Sequence, residues 1–381
     1  MCESLPFRRL AIIGNQGHSL VNFRGPLIER FVQAGIEVFA CAPEFTPVQE
    51  ERVAALGGRP ITISMARSGI NPFRDLRDTW RLARTLRSLE VDATFSYFAK
   101  PVIFGTLAAK LAGVRYRYSM IEGLGYAFAG GDRSSVKRRI IRHILLRLYR
   151  LSQSGTRRVF FLNPDDQEEF VSHRLVRADQ AVRLPGIGVD LERLVYSKPV
   201  GAPITFVLAA RLILEKGITD FVEAARRIKD RHRDTRFILL GGLDDNPSGL
   251  SREQLEEWVA SGVLEWPGMV DDVGAWLMAS SVYVLPSFYR EGVPRSIQEA
   301  MAVGRPVVTT NTPGCRETVR HGENGFLVPP RDVAALVEAM SAFVVQPDLL
   351  EAMGKASRRL AEDRFDVHRI NCQLIGEMAR G

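Results

Sequence analysis

An arginine and a lysine five residues apart, Arg211 and Lys216, offer a forked hydrogen-bond donor and a mobile point charge. That pair of cations suits a diphosphate. Further along, two carboxylates, Glu291 and Glu299, stand with seven residues between them and enclose Pro294, the residue type favoured where a helix opens. Free backbone N–H groups and the positive end of the helix dipole make such an opening a place for an anion. At ~1.5 Å per residue, Glu299 lies about 7–8 Å along the axis from Pro294. An anion on the helix tip therefore has one carboxylate on each side. A sugar nucleotide has that layout: sugar hydroxyls, diphosphate, ribose hydroxyls. Taken singly, the features have plainer readings, two solvated glutamates and two loop cations; their common location favours the stronger one.

The elements that must position these groups alternate along the chain. Val282–Leu285 is an apolar β-branched run that reads as a buried strand; it breaks at Pro286-Ser287 into the loop that ends Arg290-Glu291-Gly292. Strands are expected at 204–209, 236–241, 263–266 and 306–310, with helices at 217–232, 250–260 and 272–279, so Arg211–Gly217 is a strand-to-helix loop. The first half alternates likewise: strands at 10–14, 36–42, 60–63, 91–96, 116–121, 157–162 and 181–184, and helices from Pro26 and at 72–90, 101–112, 134–153 and 164–172. This is a doubly wound α/β pattern, whose ligands bind beyond the carboxyl ends of the strands. No GxGxxG follows the first strand, which argues against a nicotinamide or flavin enzyme. Its loop, Asn15–Arg24, faces the cleft by topology, with Asn15, Gly17 and His18 near the strand. Gly17 permits close backbone approach; Arg24 could meet a phosphate or form a surface ion pair. Glu122 opens a Gly-rich turn at another strand end, where a carboxylate could orient or deprotonate a hydroxyl or simply face solvent. Lys100 lies at a comparable strand end, and Tyr126 lies within the Glu122 turn.

At 381 residues the chain is long enough for two cores. Gly and Pro around 185–203 mark a linker at 191–202, between a domain of residues 1–190 and one of 203–365. A final helix from 366 is long enough to cross back to the first domain. Hydrophobic content of 46% and charged content of 25% are those of a soluble globular protein. No apolar run reaches membrane-spanning length, and no signal peptide is read at the N-terminus. The four cysteines form no CxxC pair, so neither zinc nor a disulfide framework is indicated; the reading is a reduced, cytoplasmic chain. Net charge is +7, yet Arg133–Arg158 alone carries nine Lys/Arg and no Asp/Glu, leaving −2 for the remainder. So local an excess points to a surface and not to nucleic acid. On a helical wheel Val136, Ile140, Ile141, Ile144, Leu145, Leu148 and Leu151 share one half; Arg138, Arg139, Arg142 and Arg150 gather on the other, with Lys137 at the boundary. The stripe is expected to pack inward and the basic face to meet either solvent or anionic lipid.

Arg211…Lys216-Gly217, Glu291-Gly292…Glu299-Ala300 and Gly314…Glu317…Gly322…Asn324-Gly325 resemble the retaining GT-B glycosyltransferases of family 4. The resemblance covers nearly the whole chain. The Asn22-Phe-Arg-Gly-Pro-Leu and Glu122-Gly-Leu-Gly-Tyr126 patches look like the branch that extends polyprenyl-diphosphate-linked sugars, to which bacillosamine-extending N-acetylgalactosaminyltransferases belong. It implies a GT-B fold, two Rossmann-like domains facing a central cleft, with acceptor bound by the first and nucleotide sugar by the second. Arg211 and Lys216 would bind the donor diphosphate and stabilise it as leaving group. Glu299 would hold the ribose, and Glu291 with the N–H groups of Gly292 and Val293 would grip the donor sugar. Family members carry a histidine where Glu122 stands, so Glu122 is either a catalytic group or an acceptor contact.

The expected function is transfer of an N-acetylhexosamine or hexose, with retention, from a UDP-sugar to a polyprenyl-diphosphate-linked saccharide in bacterial surface-glycan or glycoprotein assembly. The enzyme would be peripheral on the inner face of the cytoplasmic membrane. The catalytic set is Arg211, Lys216, Glu291 and Glu122; Gly17 joins the donor site, and Asn15, His18, Arg24, Lys100 and Tyr126 join Glu122 in the acceptor site. With no Asp-x-Asp motif, no metal or cofactor is expected, the two cations serving at the diphosphate. A nucleotide-sugar epimerase of the same fold and a non-catalytic partner subunit are the alternatives.

Overall fold

The structure, a computed structural model, describes residues 5–66, 69, 71–125, 128, 136–244, 246 and 248–380. The chain divides into two compact units, one of residues up to Ile187 together with those from His368 onward, the other Gly188–Val367.

The first unit contains β1 (Arg9–Ile13), α1 (Gly17–Asn22), α2 (Gly25–Gln33), β2 (Glu37–Ala42), α3 (Pro47–Ala55), β3 (Arg59–Thr62), α4 (Pro72–Ser88), β4 (Ala93–Tyr97), α5 (Thr106–Ala112), β5 (Tyr116–Ile121), α6 (Val136–Gln153), β6 (Arg158–Phe161), α7 (Pro164–Ser172) and β7 (Ala181–Arg183). Its seven strands are parallel in the order β3-β2-β1-β4-β5-β6-β7. Central strands such as β4 are buried along their whole length, as parallel strands covered on both faces must be. Leu82 and Leu86 of α4 and Ala108 of α5 pack with Ile13, Phe39 and Cys41; Tyr149 of α6 and Phe170 of α7 pack with Ile121, Val159 and Phe161. The strand order turns back between β1 and β4, the position where ligands bind in sheets of this kind.

Three features depart from the sequence reading. Within the expected loop Asn15–Arg24, residues Gly17–Asn22 are helical, because Ser19, Leu20 and Val21 find burial on the sheet. A helix at Pro47–Ala55 was not foreseen, although Thr46 and Gln49 form a capping box around Pro47. The apolar stripe of α6 does not pack inward as a whole. Leu145, Leu148 and Tyr149 join the core, whereas Ile140, Ile144 and Leu151 are 54%, 43% and 55% exposed. Arg142 accounts for this rotation: it pairs with Glu169 of α7 at 2.6 Å and lies 5.4 Å over the Phe128 ring.

The second unit contains β8 (Thr205–Ala209), α8 (Ile218–Lys229), β9 (Arg236–Leu240), α9 (Arg252–Ala260), β10 (Glu265–Gly268), α10 (Val273–Met278), β11 (Val282–Leu285), α11 (Arg295–Ala302), β12 (Val307–Thr310), β13 (Gly325–Val328), α12 (Val333–Val345) and α13 (Asp348–Arg364). Its parallel order is β10-β9-β8-β11-β12-β13, which turns back between β8 and β11. The stretch 191–202 is fastened to this unit. Buried Arg305 donates to the Ser280 and Val303 carbonyls at 2.6 and 2.8 Å and to the Ser197 hydroxyl at 2.8 Å. Arg358 donates to the Leu194 carbonyl at 2.6 Å. The last helix, α14 (Val367–Arg380), joins the first unit, where the Tyr118 hydroxyl donates to the Met378 carbonyl at 2.8 Å. Among the described residues no single helix is long and apolar enough to cross a membrane.

Candidate active site

In the second unit the loops leaving β8 and β11 meet at the point where the strand order turns back. After β8 the chain runs through Arg211 into a short turn, Leu214–Lys216, and reaches α8 through Gly217, whose φ of 72° is left-handed. A side chain at Gly217 would start 2.1 Å from the Pro286 carbonyl oxygen, so only glycine lets the two loops touch. Backbone hydrogen bonds then stitch them: the Phe288 and Tyr289 N–H groups donate to the Glu215 carbonyl at 2.9 and 3.1 Å. The Ser287 hydroxyl oxygen lies 3.2 Å from the same carbonyl.

This stitching sets Lys216 Nζ 2.5 Å from Glu291 Oε1, with side chains 12% and 11% exposed. The Ser287 hydroxyl donates to the same carboxylate oxygen at 2.9 Å, and the ammonium lies 5.5 Å over the Tyr289 ring. Arg211 is more open; its guanidinium is 3.7 Å from the Asp244 carboxylate. Burial raises the Tyr289 phenol above its ordinary range, against the pull of Arg211. Glu291-Gly292-Val293 leads to α11, whose N-cap is Pro294 and whose first residue is Arg295, one position later than expected; Pro294 itself supplies no side-chain cap. Glu299, in the second turn, is held by Arg295 at 2.8 Å. From β12, Gly314 lies under the same loop: a side chain there would start 2.1 Å from the Gly292 carbonyl oxygen. Beside it, burial and the Glu291 charge push the Cys315 thiol up to about 11. Arg211, Lys216, Glu291, Gly292, Val293 and Glu299 therefore share one carboxyl edge of one sheet.

In the first unit the expected residues also gather at strand ends, but with protein partners. Arg24 is not an open loop cation: it is the N-cap of α2, is 2% exposed, and forms an ion pair with Glu122, which follows β5 directly. Its guanidinium lies 4.6 Å over the Tyr97 ring. Burial pushes the Tyr97 phenol up to about 12, and its hydroxyl shares a hydrogen bond with Ser19 at 2.8 Å. Lys100, after β4, bonds Asp75 of α4 at 2.8 Å. The close approach at Gly17 is to this unit's own chain, a side chain there starting 2.6 Å from the Glu44 carbonyl oxygen. Asn15 Oδ1 is buried without a hydrogen-bond partner among the described residues. His18 is exposed and contacts Asn22 at 3.0 Å. Tyr126 lies outside the described residues, as do the side chains of Lys137 and Arg138. Arg139 is exposed, and Arg150 donates to the His173 carbonyl at 2.8 Å. Ser287, Tyr289 and Asp244 were not singled out from sequence; an aromatic two places before a strand-end glutamate was the signal for Tyr289. Among the described residues no group of three His, Cys, Asp or Glu side chains is placed to hold a metal ion.

The family model described as "Glycosyl transferases group 1" matches residues 203–346, and the one described as "Glycosyl transferase 4-like domain" matches residues 24–186. The N,N'-diacetylbacillosaminyl-diphospho-undecaprenol alpha-1,3-N-acetylgalactosaminyltransferase of Campylobacter jejuni is 29% identical over 87% of this chain and 88% of its own. The UDP-Gal:alpha-D-GlcNAc-diphosphoundecaprenol alpha-1,3-galactosyltransferase of Escherichia coli is 25% identical over 78% of each. Among solved structures, sucrose-phosphate synthase from Thermosynechococcus elongatus superimposes with a TM-score of 0.78 at 20% identity, over 96% of this chain and 97% of its own.

Proposed function

This chain belongs to the group 1 and 4-like glycosyltransferases of GT-B fold, and from that premise we propose a retaining enzyme that moves a hexose or N-acetylhexosamine from a UDP-sugar onto a polyprenyl-diphosphate-linked saccharide. The observation that carries the donor half is the Lys216–Glu291 pair between the β8 and β11 loops, with Arg211 and the tip of α11 beside it. Arg211 and Lys216 take the diphosphate, Glu291 with the backbone of Gly292 and Val293 takes the sugar hydroxyls, and Glu299 takes the ribose. As the bond from the anomeric carbon to the β-phosphate oxygen breaks, its electron pair goes to that oxygen, and the fixed cations stabilise the charge. The acceptor hydroxyl attacks from the same face and passes its proton to the departing diphosphate. No second carboxylate nucleophile is needed, unlike in retaining hydrolases, and the two cations serve where a metal would otherwise stand.

The acceptor half rests on the two relatives named for diphospho-undecaprenol sugars. Glu122, held by Arg24, orients the acceptor together with Asn15, His18 and Lys100; Arg24 acts through Glu122. The exposed part of α6, with Arg139 and Arg147, brings the enzyme to the inner face of the cytoplasmic membrane. The test is nucleotide release from a panel of UDP- and GDP-sugars, with and without a polyprenyl-diphosphate-sugar. Acceptor-dependent release from one donor, lost in Glu299→Ala and Lys216→Ala, is expected. Donor isomerisation without release would make it an epimerase, and no release under any condition would point to a binding subunit.

A further inference from the structure

Helix α4 turns large apolar side chains to solvent. Phe73, Leu76 and Trp80 are 89%, 67% and 57% exposed, and their spacing puts them in one stripe. The core does not lack them, since Leu82, Ala83 and Leu86 already fill the inward line. The helix's two carboxylates are also turned inward, Asp75 to Lys100 at 2.8 Å and Asp78 to the Ser64 hydroxyl at 2.7 Å. All five of its arginines, Arg74, Arg77, Arg81, Arg84 and Arg87, are exposed. Arg74 and Arg77 stay within 3.6 and 3.7 Å of Asp78; the Arg84 guanidinium lies 4.9 Å over the Trp80 ring. Single exposed apolar residues are ordinary. An aromatic stripe flanked by guanidinium groups, on a face without a carboxylate, needs a counterpart.

We propose that α4 is a membrane-docking element: Phe73, Leu76 and Trp80 enter the headgroup layer of an anionic bilayer while Arg77, Arg81 and Arg84 meet lipid phosphates. Charge complementarity decides for lipid, because the surface offers five cations around an apolar wedge, the pairing that holds amphipathic helices at anionic interfaces. Position agrees. The helix follows the carboxyl end of β3, and Asp75 in its first turn holds Lys100 of the β4 loop, so docking there turns the carboxyl ends of β3 and β4 toward the bilayer. The purpose of this surface, unlike its existence, rests on the reading that the acceptor is membrane-borne.

The test is flotation of the full chain with phosphatidylcholine vesicles, with and without added phosphatidylglycerol. Phe73→Ser/Leu76→Ser/Trp80→Ser and, separately, Arg77→Glu/Arg81→Glu/Arg84→Glu are each expected to lower binding to anionic vesicles by roughly tenfold or more. Met269→Ser, at another exposed apolar residue, should change nothing. Trp80 is the one tryptophan of the first unit, the others being Trp258, Trp266 and Trp276, so a blue shift of emission on adding vesicles should vanish in Trp80→Phe. No flotation of the unaltered chain, flotation indifferent to both sets of changes, or unaltered Trp80 emission would overturn the proposal and leave the stripe to a protein partner. Turnover of a short-chain, water-soluble acceptor should survive both sets. If no acceptor is turned over by any form, the transferase reading fails while the flotation result stands by itself.

Discussion

Replacing Lys216 by Met removes the cation from a pair nearly closed to solvent, with side chains 12% and 11% exposed and 2.5 Å between Nζ and Oε1. Glu291 then keeps the Ser287 hydroxyl at 2.9 Å but loses the neutralising charge. Breaking a buried pair from one side costs about 3–5 kcal/mol. The residual exposure and the retained hydroxyl place Lys216→Met at the lower end, about 3 kcal/mol. For a unit of this size each kcal/mol moves the melting temperature by about 2–4 °C, so a fall of roughly 6–12 °C is expected. Glu291→Gln leaves an acceptor for both partners and should cost only about 1–2 kcal/mol. The double variant Lys216→Met/Glu291→Gln, with neither charge left, should recover at least about 2 kcal/mol of the summed loss. Thermal unfolding of the four forms closes the cycle, and donor turnover is read on the same samples. Turnover should fall by about 100- to 1000-fold in Lys216→Met, as for loss of one preorganised group at a leaving oxygen. A melting temperature within about 2 °C of the unaltered chain would refute the burial argument. A large thermal shift with full turnover would leave Lys216 a structural residue and remove it from the chemistry.

Tyr289→Phe keeps the ring over Lys216 but removes the phenol hydroxyl, which the Arg211 charge acts on; UDP affinity should fall by about 5- to 30-fold with UMP affinity little changed, measured by calorimetry. Gly314→Ala forces a methyl against the Gly292 carbonyl at a φ of 81°; donor KM should rise more than tenfold, about the effect of displacing a positioning loop. Arg24→Met leaves buried Glu122 without its cation and should raise acceptor KM while leaving UDP binding unchanged, a split that steady-state kinetics in both substrates reads directly. Arg305→Met strips the donor that ties the Ser197–Ser280 region together, and should lower the unfolding free energy of the second unit by about 3 kcal/mol in denaturant titration.

The proposed donor site is legible because its residues lie at strand ends, and strand ends can be found from short apolar runs. Arg211–Gly217 follows one such run, Pro286–Gly292 another, and the E-x7-E spacing fixes Glu299 against Glu291 within one loop and helix. What spacing cannot report is which strand lies beside which. Lys216 and Glu291 are 75 residues apart, Arg24 and Glu122 are 98 apart, and Lys100 and Asp75 are 25 apart. Each pair forms because the sheet order brings its two segments together, so the sequence leaves Arg24 open between a phosphate and a surface ion pair until β1 and β5 are placed on either side of β4. The same limit explains the helices. An apolar half-wheel shows that α6 has an inward face, but the Arg142–Glu169 pair decides where that face begins, and it leaves Ile140 and Ile144 outside. In α4 the burial of Leu82 and Leu86 had to be seen before Phe73, Leu76 and Trp80 could be recognised as surplus to the core.

A common consequence follows for the cations. Lys216 and Arg24 are each held by a carboxylate at a strand end and by an aromatic face, Tyr289 and Tyr97 respectively. A lysine fixed in this way loses little further side-chain freedom when a phosphate replaces its carboxylate partner. The two cations differ in access. Lys216 is 12% exposed and sits beside the more open Arg211, so it can exchange Glu291 for a diphosphate oxygen. Arg24 is 2% exposed and cannot reach a ligand without first abandoning its site. On the proposed function, Lys216 is therefore the cation assigned to the ligand, and Arg24 the one that fixes the Glu122 carboxylate.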